Sequence, residues 1–152
     1  MKFGCVIPAR YGSTRLPGKP LADIAGKPMI EWVYARVSQA TKTVCTIVAT
    51  DDNRVYSAVQ QFGGTVMMTD PNHPTGTDRL AEVASHYTDL DVVINVQGDE
   101  PMIDPNLIDD LARLFEEDPN LQMATVATPL LEEEYEEPSA VKVILNNRND
   151  AM

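Results

Sequence analysis

The 152-residue chain is short of the features that mark membrane, nucleic-acid and disulfide-stapled proteins. No apolar run approaches the ~18 residues of a spanning helix. The apolar stretch after Met1 is too short for a secretory signal, and Arg10 interrupts it. Only two cysteines occur, Cys5 and Cys45, each inside an apolar β-like run. They read as buried thiols in a reducing compartment and exclude a disulfide framework. Basic residues are scarce, 12 Lys and Arg against 23 Asp and Glu, for a net charge of −11. That balance excludes a general nucleic-acid or membrane-surface partner. Neither GxxxxGK[ST] nor GxGxxG is present, so the Walker and dinucleotide phosphate loops are excluded as well.

What remains is a sequence of one domain's size, 43% hydrophobic, long enough to bury roughly 70% of its unfolded surface without a staple. It has no internal repeat and no linker, and reads as a single domain over residues 1–152. Apolar or β-branched runs at residues 3–8, 43–50, 65–68, 92–96, 123–128 and 141–145 predict strands. Helices are expected over 28–40, with Pro28 as first residue, 52–62, 77–86 capped by Thr77, and 105–117. Strands joined through helices imply right-handed crossovers, a mainly parallel sheet and helices on both faces, a three-layer α/β architecture. Residues 92–96 are almost free of polar side chains and are expected at the sheet's centre. In such a sheet ligands gather beyond the carboxyl ends of the strands, which directs attention to four loops.

The first loop, residues 9–19, holds Arg10, Arg15 and Lys19 among Gly, Ser and Thr. Residues 1–42 carry seven of the twelve basic residues and only two acids, a local positive patch in an acidic chain. Small residues let backbone amides approach an anion, arginine grips phosphate as a planar fork and lysine adds a point charge. The alternative is a flexible loop with solvated bases. The loop at residues 97–101, Gln97-Gly98-Asp99-Glu100-Pro101, is the metal candidate. A carboxylate at a strand's edge suits Mg²⁺, which takes one or two carboxylates plus phosphates and water. Asp99 is the first choice and Glu100 the second; the alternative makes Asp99 a turn cap. In the HPTGTDR loop, Thr75, Thr77 and Arg79 suit a base or a phosphate and Gly76 permits an unusual backbone angle, while Asp78 also suits the helix dipole and Arg79 also suits a pair with Glu82. His73 reads as solvated, and His86 as ending its helix.

Taken in order, Ile7-Pro8-Ala9-Arg10, Ser13-Thr14-Arg15-Leu16-Pro17-Gly18-Lys19-Pro20-Leu21, Ala49-Thr50-Asp51, Gly76-Thr77-Asp78-Arg79-Leu80-Ala81-Glu82, Asn95-Val96-Gln97-Gly98-Asp99-Glu100-Pro101 and Ala140-Val141-Lys142-Val143 resemble the 3-deoxy-manno-octulosonate (KDO) cytidylyltransferases, or CMP-KDO synthetases. The first motif is shared with other sugar nucleotidyltransferases; its combination with GTDRLAE and NVQGDEP is far more specific. The resemblance implies a nucleotide-diphospho-sugar transferase-like fold and a cytoplasmic, Mg²⁺-dependent reaction of CTP with KDO that gives CMP-KDO and pyrophosphate for lipopolysaccharide synthesis. It places Arg10, Arg15 and Lys19 on the triphosphate, Ala9, Thr77, Arg79 and Gln97 around the cytidine, and Asp99 on the metal. Arg10, Lys19 and Asp99 would be the catalytic set. Members are homodimers and longer than this chain, so the sugar pocket, a second metal-binding aspartate and the dimer contact are expected beyond Met152. Two alternatives stay open: the same chemistry on 8-amino-KDO or another sugar acid, and a nucleotide-binding fragment without turnover. A response regulator built on Asp51 and Asp52 lacks the acidic pair after strand one.

Overall fold

The computed structural model describes residues 1–12, 16–147 and 151. It divides into two compact units, Met1–Leu121 and Gln122–Met152. The first unit runs β1 (Phe3–Pro8), a 3₁₀ turn (Lys19–Leu21), β2 (Asp23–Ile24), β3 (Lys27–Pro28), α1 (Met29–Val37), β4 (Thr43–Thr50), α2 (Asn53–Gln61), β5 (Val66–Met68), α3 (Gly76–His86), β6 (Val92–Asn95) and α4 (Pro105–Glu117). The main sheet is parallel, in the order β5-β4-β1-β6. β2 and β3 form a separate antiparallel pair. Cys5 sits opposite Thr46 on one side and Ile94 on the other, which fixes β1 as an inner strand.

Alternation along β1 builds two cores. Phe3, Cys5 and Ile7 pack with Ile30, Val33 and Val37 of α1, Val55 and Val59 of α2, and Ile108 and Ala112 of α4. Val6 points the other way and packs with Ile47, Ala49 and Val83 of α3. The three layers expected from the sequence are therefore present, with α3 on the second face. From β5 the chain passes through α3 and returns to the far side of β1, so the connection reverses direction between β1 and β6.

Several sequence expectations need correction. β6 is an edge strand of this sheet rather than a central one. Its apolar residues reflect cover on both faces, Ile94 in the first core and Val93 against the second, which does not require a neighbour on both edges. Pro28 lies outside α1 as an extended N-cap, φ −63° and ψ 144°. Thr75, not Thr77, caps α3. In the second unit, residues 123–128 and 141–145 form no strands; the described residues there hold one 3₁₀ turn, Glu132–Glu134, and an isolated bridge between Leu145 and Ala151. Met123, Val126, Val141 and Ile144 are exposed, so β-propensity there has no packed face to act on.

A buried carboxylate fastens α4. Asp109 accepts from the Thr41 amide at 2.9 and 3.1 Å, the Thr41 hydroxyl at 2.9 Å and the Lys42 amide at 2.9 Å. Burial pushes the Asp109 carboxyl up, but the Lys42 and Thr41 donors outweigh it and hold its pKa below the usual carboxylate range. A depressed folded pKa stabilises above the unfolded aspartate's value, about pH 4, and the contribution is lost as pH falls through the folded value. Asp109→Ala leaves three donors unmet, so chemical denaturation at neutral pH is expected to show a loss of about 1–3 kcal/mol that shrinks in acid.

Candidate functional site

Four chain segments meet beyond the carboxyl ends of β1 and β6, where the connection reverses, the position at which parallel α/β sheets bind ligands. They enclose a cavity of about 280 Å³ lined by Ala9 and Arg10, Lys19 and Pro20, Thr75 and Gly76, and Gln97, Gly98 and Asp99, among others.

The first segment leaves β1 at Ala9, whose amide donates to the Ala49 carbonyl at 2.9 Å. The loop that follows is closed at its base, where the Gly18 amide donates to the Tyr11 carbonyl at 2.8 Å. Gly18 has φ 73°, and a Cβ there would come within 3.0 Å of the Tyr11 ring. That ring also carries the Arg54 guanidinium, 3.3 Å from its centroid. The 3₁₀ turn after Gly18 then presents Lys19 to the cavity.

The second wall is the exit from β6. A Cβ on Gly98 would lie 2.8 Å from the Pro8 carbonyl oxygen. The glycine is thus needed for backbone to pass against the end of β1. This close passage delivers Asp99 to Lys19, with Nζ and Oδ2 2.5 Å apart. Gln97 is exposed on the same rim.

The third wall is the start of α3. Thr75 and Asp78 form a capping box, with the Asp78 amide donating to Thr75 Oγ1 at 3.2 Å and the Thr75 amide to Asp78 Oδ2 at 3.0 Å. The Thr75 hydroxyl holds the Asp78 carboxyl below its ordinary pKa. Asp78 serves the helix, as one of its two sequence readings had it. Just before the cap, the Arg10 guanidinium donates to the His73 carbonyl, while Arg10 Nε is buried with no partner among the described residues. The Arg10 side chain belongs to the cavity lining, where its positive charge suits an anion. His73 is not solvated: its Nε2 lies 2.6 Å from Glu82 Oε2, and Glu82 also accepts from the Asp70 amide at 2.9 Å.

Of the residues singled out by sequence, the structure brings Ala9, Arg10, Lys19, Gln97 and Asp99 to one cavity. Arg15 falls outside the described residues. Thr77 is exposed on α3 and does not line the cavity. Arg79 is fully buried and is held away from Glu82: it donates to Asp51 Oδ2 at 2.8 Å and to the Thr69 hydroxyl. Asp52 caps α2 and pairs with Arg54, whose guanidinium holds the carboxyl down at about 2. Asp51 and Asp52 are thus both committed to structural partners. The sequence singled out neither Pro20 nor Pro74 as a cavity wall, and it offered Thr75, which does line the cavity, for its hydroxyl without marking it as the cap of α3. The Thr75-to-Asp78 spacing was the available signal, since it is the pattern of a capping box.

Among the described residues, Asp99 is the one carboxylate lining this cavity, and no group of three His, Cys, Asp or Glu suited to a metal occurs. That donor set does not make a protein cage. It fits an ion such as Mg²⁺, which takes one or two carboxylates and completes its shell with phosphates and water.

The cytidylyltransferase family model matches residues 4–152. The 3-deoxy-manno-octulosonate cytidylyltransferase of Escherichia coli is 53% identical over 147 residues, covering 97% of this chain and 59% of the relative. That of Syntrophotalea carbinolica is 50% identical over 153 residues, covering 100% and 61%. The solved CMP:2-keto-3-deoxy-manno-octonic acid synthetase complexed with CTP superposes with a TM-score of 0.95 at 52% identity, covering 100% of this chain and 63% of that one. The chain therefore spans about three fifths of the length of these relatives. With a family match over nearly its whole length and relatives about half identical to it, the chain belongs to the cytidylyltransferase family.

Proposed function

We propose that this chain binds CTP with its triphosphate against Arg10, Lys19 and Asp99, and that it forms the nucleotide-binding portion of an enzyme transferring CMP to KDO with release of pyrophosphate. The observation that carries the reading is the single cavity at the switch point, holding two cations, one with an unmet buried N–H, beside one exposed aspartate. The relatives' names support KDO as the acceptor, and the solved CTP complex supports the nucleotide.

In this reading the anomeric hydroxyl of KDO attacks the α-phosphorus of CTP in line, and pyrophosphate leaves. No protein nucleophile takes part. Arg10 and Lys19 orient the phosphates and offset the charge that accumulates on them. Gln97, on the rim, faces the nucleoside side. Asp99 would hold Mg²⁺ together with phosphate oxygens and water; the ion, when bound, supplies further charge neutralisation. A cytoplasmic setting is supported by two free thiols on the neighbouring strands β1 and β4. Homodimerisation rests on the family resemblance alone.

Calorimetric titration of the chain with CTP, UTP, GTP and ATP in Mg²⁺ tests the nucleotide assignment. CTP is expected to bind at least about tenfold more tightly than the others. Equal affinities would remove the cytidine reading. Pyrophosphate release from CTP with KDO or 8-amino-KDO then separates the acceptors, and binding without release assigns turnover to the longer enzyme.

A further inference from the structure

Lys19 and Asp99 stand 80 positions apart in the chain, yet Nζ and Oδ2 meet at 2.5 Å on the cavity wall. Their side chains keep 36% and 45% of their exposure, so the contact lies open to whatever enters. An ammonium against a carboxylate competes with any divalent cation for it, and the carboxylate competes with any phosphate oxygen for the ammonium. Arg10 differs, because its partner is a backbone carbonyl and its Nε remains unmet.

We infer that the Lys19–Asp99 pair is an interlock between the two ligands of this site. In the free protein it masks Asp99 from divalent cations and Lys19 from anions. A triphosphate draws Lys19 away and thereby releases Asp99 to the cation. The identity of the anion rests on the nucleotide reading above; the masking does not. Exposed ion pairs are weak, so a multiply charged anion opens this one readily. Linkage then makes the effect reciprocal: triphosphate strengthens cation binding by the factor by which the cation strengthens triphosphate binding.

The interlock is tested on the nucleotide side with no cation present. Here Asp99→Asn frees Lys19, so CTP titrated by calorimetry in EDTA is expected to bind about fivefold more tightly than to the unaltered chain. Loss of simple repulsion would act in the same direction, and a double-mutant cycle separates the two causes. The gain vanishes in a Lys19→Gln background if Asp99 acts by holding Lys19, and a gain that persists there overturns the proposal.

The cation side is tested without nucleotide, by Mn²⁺ titration followed through the electron paramagnetic resonance of the free ion. Lys19→Gln is expected to tighten Mn²⁺ binding about fivefold, and Arg10→Gln, which removes a neighbouring charge without unmasking Asp99, much less. Lys19→Met serves the same purpose if the glutamine variant misfolds. Unchanged Mn²⁺ affinity in the Lys19 variants, or an equal gain in Arg10→Gln, overturns the interlock. Should CTP bind neither with nor without Mg²⁺, the nucleotide reading falls, and the Mn²⁺ titrations still decide the interlock.

Discussion

Asp99→Asn, carried into a full-length cytidylyltransferase of this family, is expected to cut turnover by about 10²- to 10³-fold, the usual cost of removing one preorganised electrostatic contact. The affinity for CTP in Mg²⁺ should change far less. The reason lies in where Asp99 sits. It projects from a loop held against the end of β1 by the tight passage of Gly98, so its carboxylate is already in place before the reaction. Asparagine keeps the shape and removes the charge. Its neutral oxygen is a poor partner for a hard dication, which favours carboxylates, so what is lost is charge compensation in the transition state. Steady-state pyrophosphate release, set beside calorimetric binding, checks the split. Equal turnover of the variant at saturating Mg²⁺ would remove Asp99 from the metal role.

The second large effect concerns a residue outside the cavity. Asp51→Ala is expected to destabilise the protein by about 3–5 kcal/mol, because it leaves the fully buried Arg79 guanidinium without its anion. One nitrogen of that guanidinium, Nε, already lacks a partner, so the residue has no spare compensation. Urea denaturation of Asp51→Ala and Glu82→Ala, compared at constant slope, checks the assignment. The Glu82 variant should move the midpoint little, since its carboxylate serves His73 and the Asp70 amide near the surface. A larger loss in Glu82→Ala would reverse the reading of which acid supports Arg79.

Arg79 also shows where sequence reasoning stops. From the linear pattern its natural partner is Glu82, three residues on and on the same helix face. The partner in the fold is 28 positions back, at the end of β4. Nothing local encodes that choice; it follows from α3 lying across the second face of the sheet. The same limit explains β6. Its apolar composition reports two covered faces and is silent about edges, and strand order depends on which side of β1 the chain returns to. Cap positions shifted for a smaller reason: Thr75 and Thr77 have the same chemistry, and only the Asp three residues after Thr75 favours the former.

What was legible was the alternation of strand and helix, the parallel sheet and the loops that carry charge. Those features are written in short windows, by periodicity and by the clustering of Arg10 and Lys19 with small residues. The meeting of Lys19 with Asp99 was legible only as a rule about strand ends, and the fold turned that rule into a 2.5 Å contact. Residues 123–128 and 141–145 form no strands because β-propensity expresses itself only on a packed face, and their apolar side chains are exposed.

The position of β1 has a consequence for how the protein comes into being. This inner strand leaves the ribosome well before both of its neighbours, Thr43–Thr50 and Val92–Asn95. Its pairing with β4 closes a long chain segment, and its pairing with β6 a longer one, each at an entropic cost that local contacts do not offset. The cavity, whose walls come from both ends of that span, is therefore incomplete until residues 97–99 have emerged, however early the loop after β1 is made.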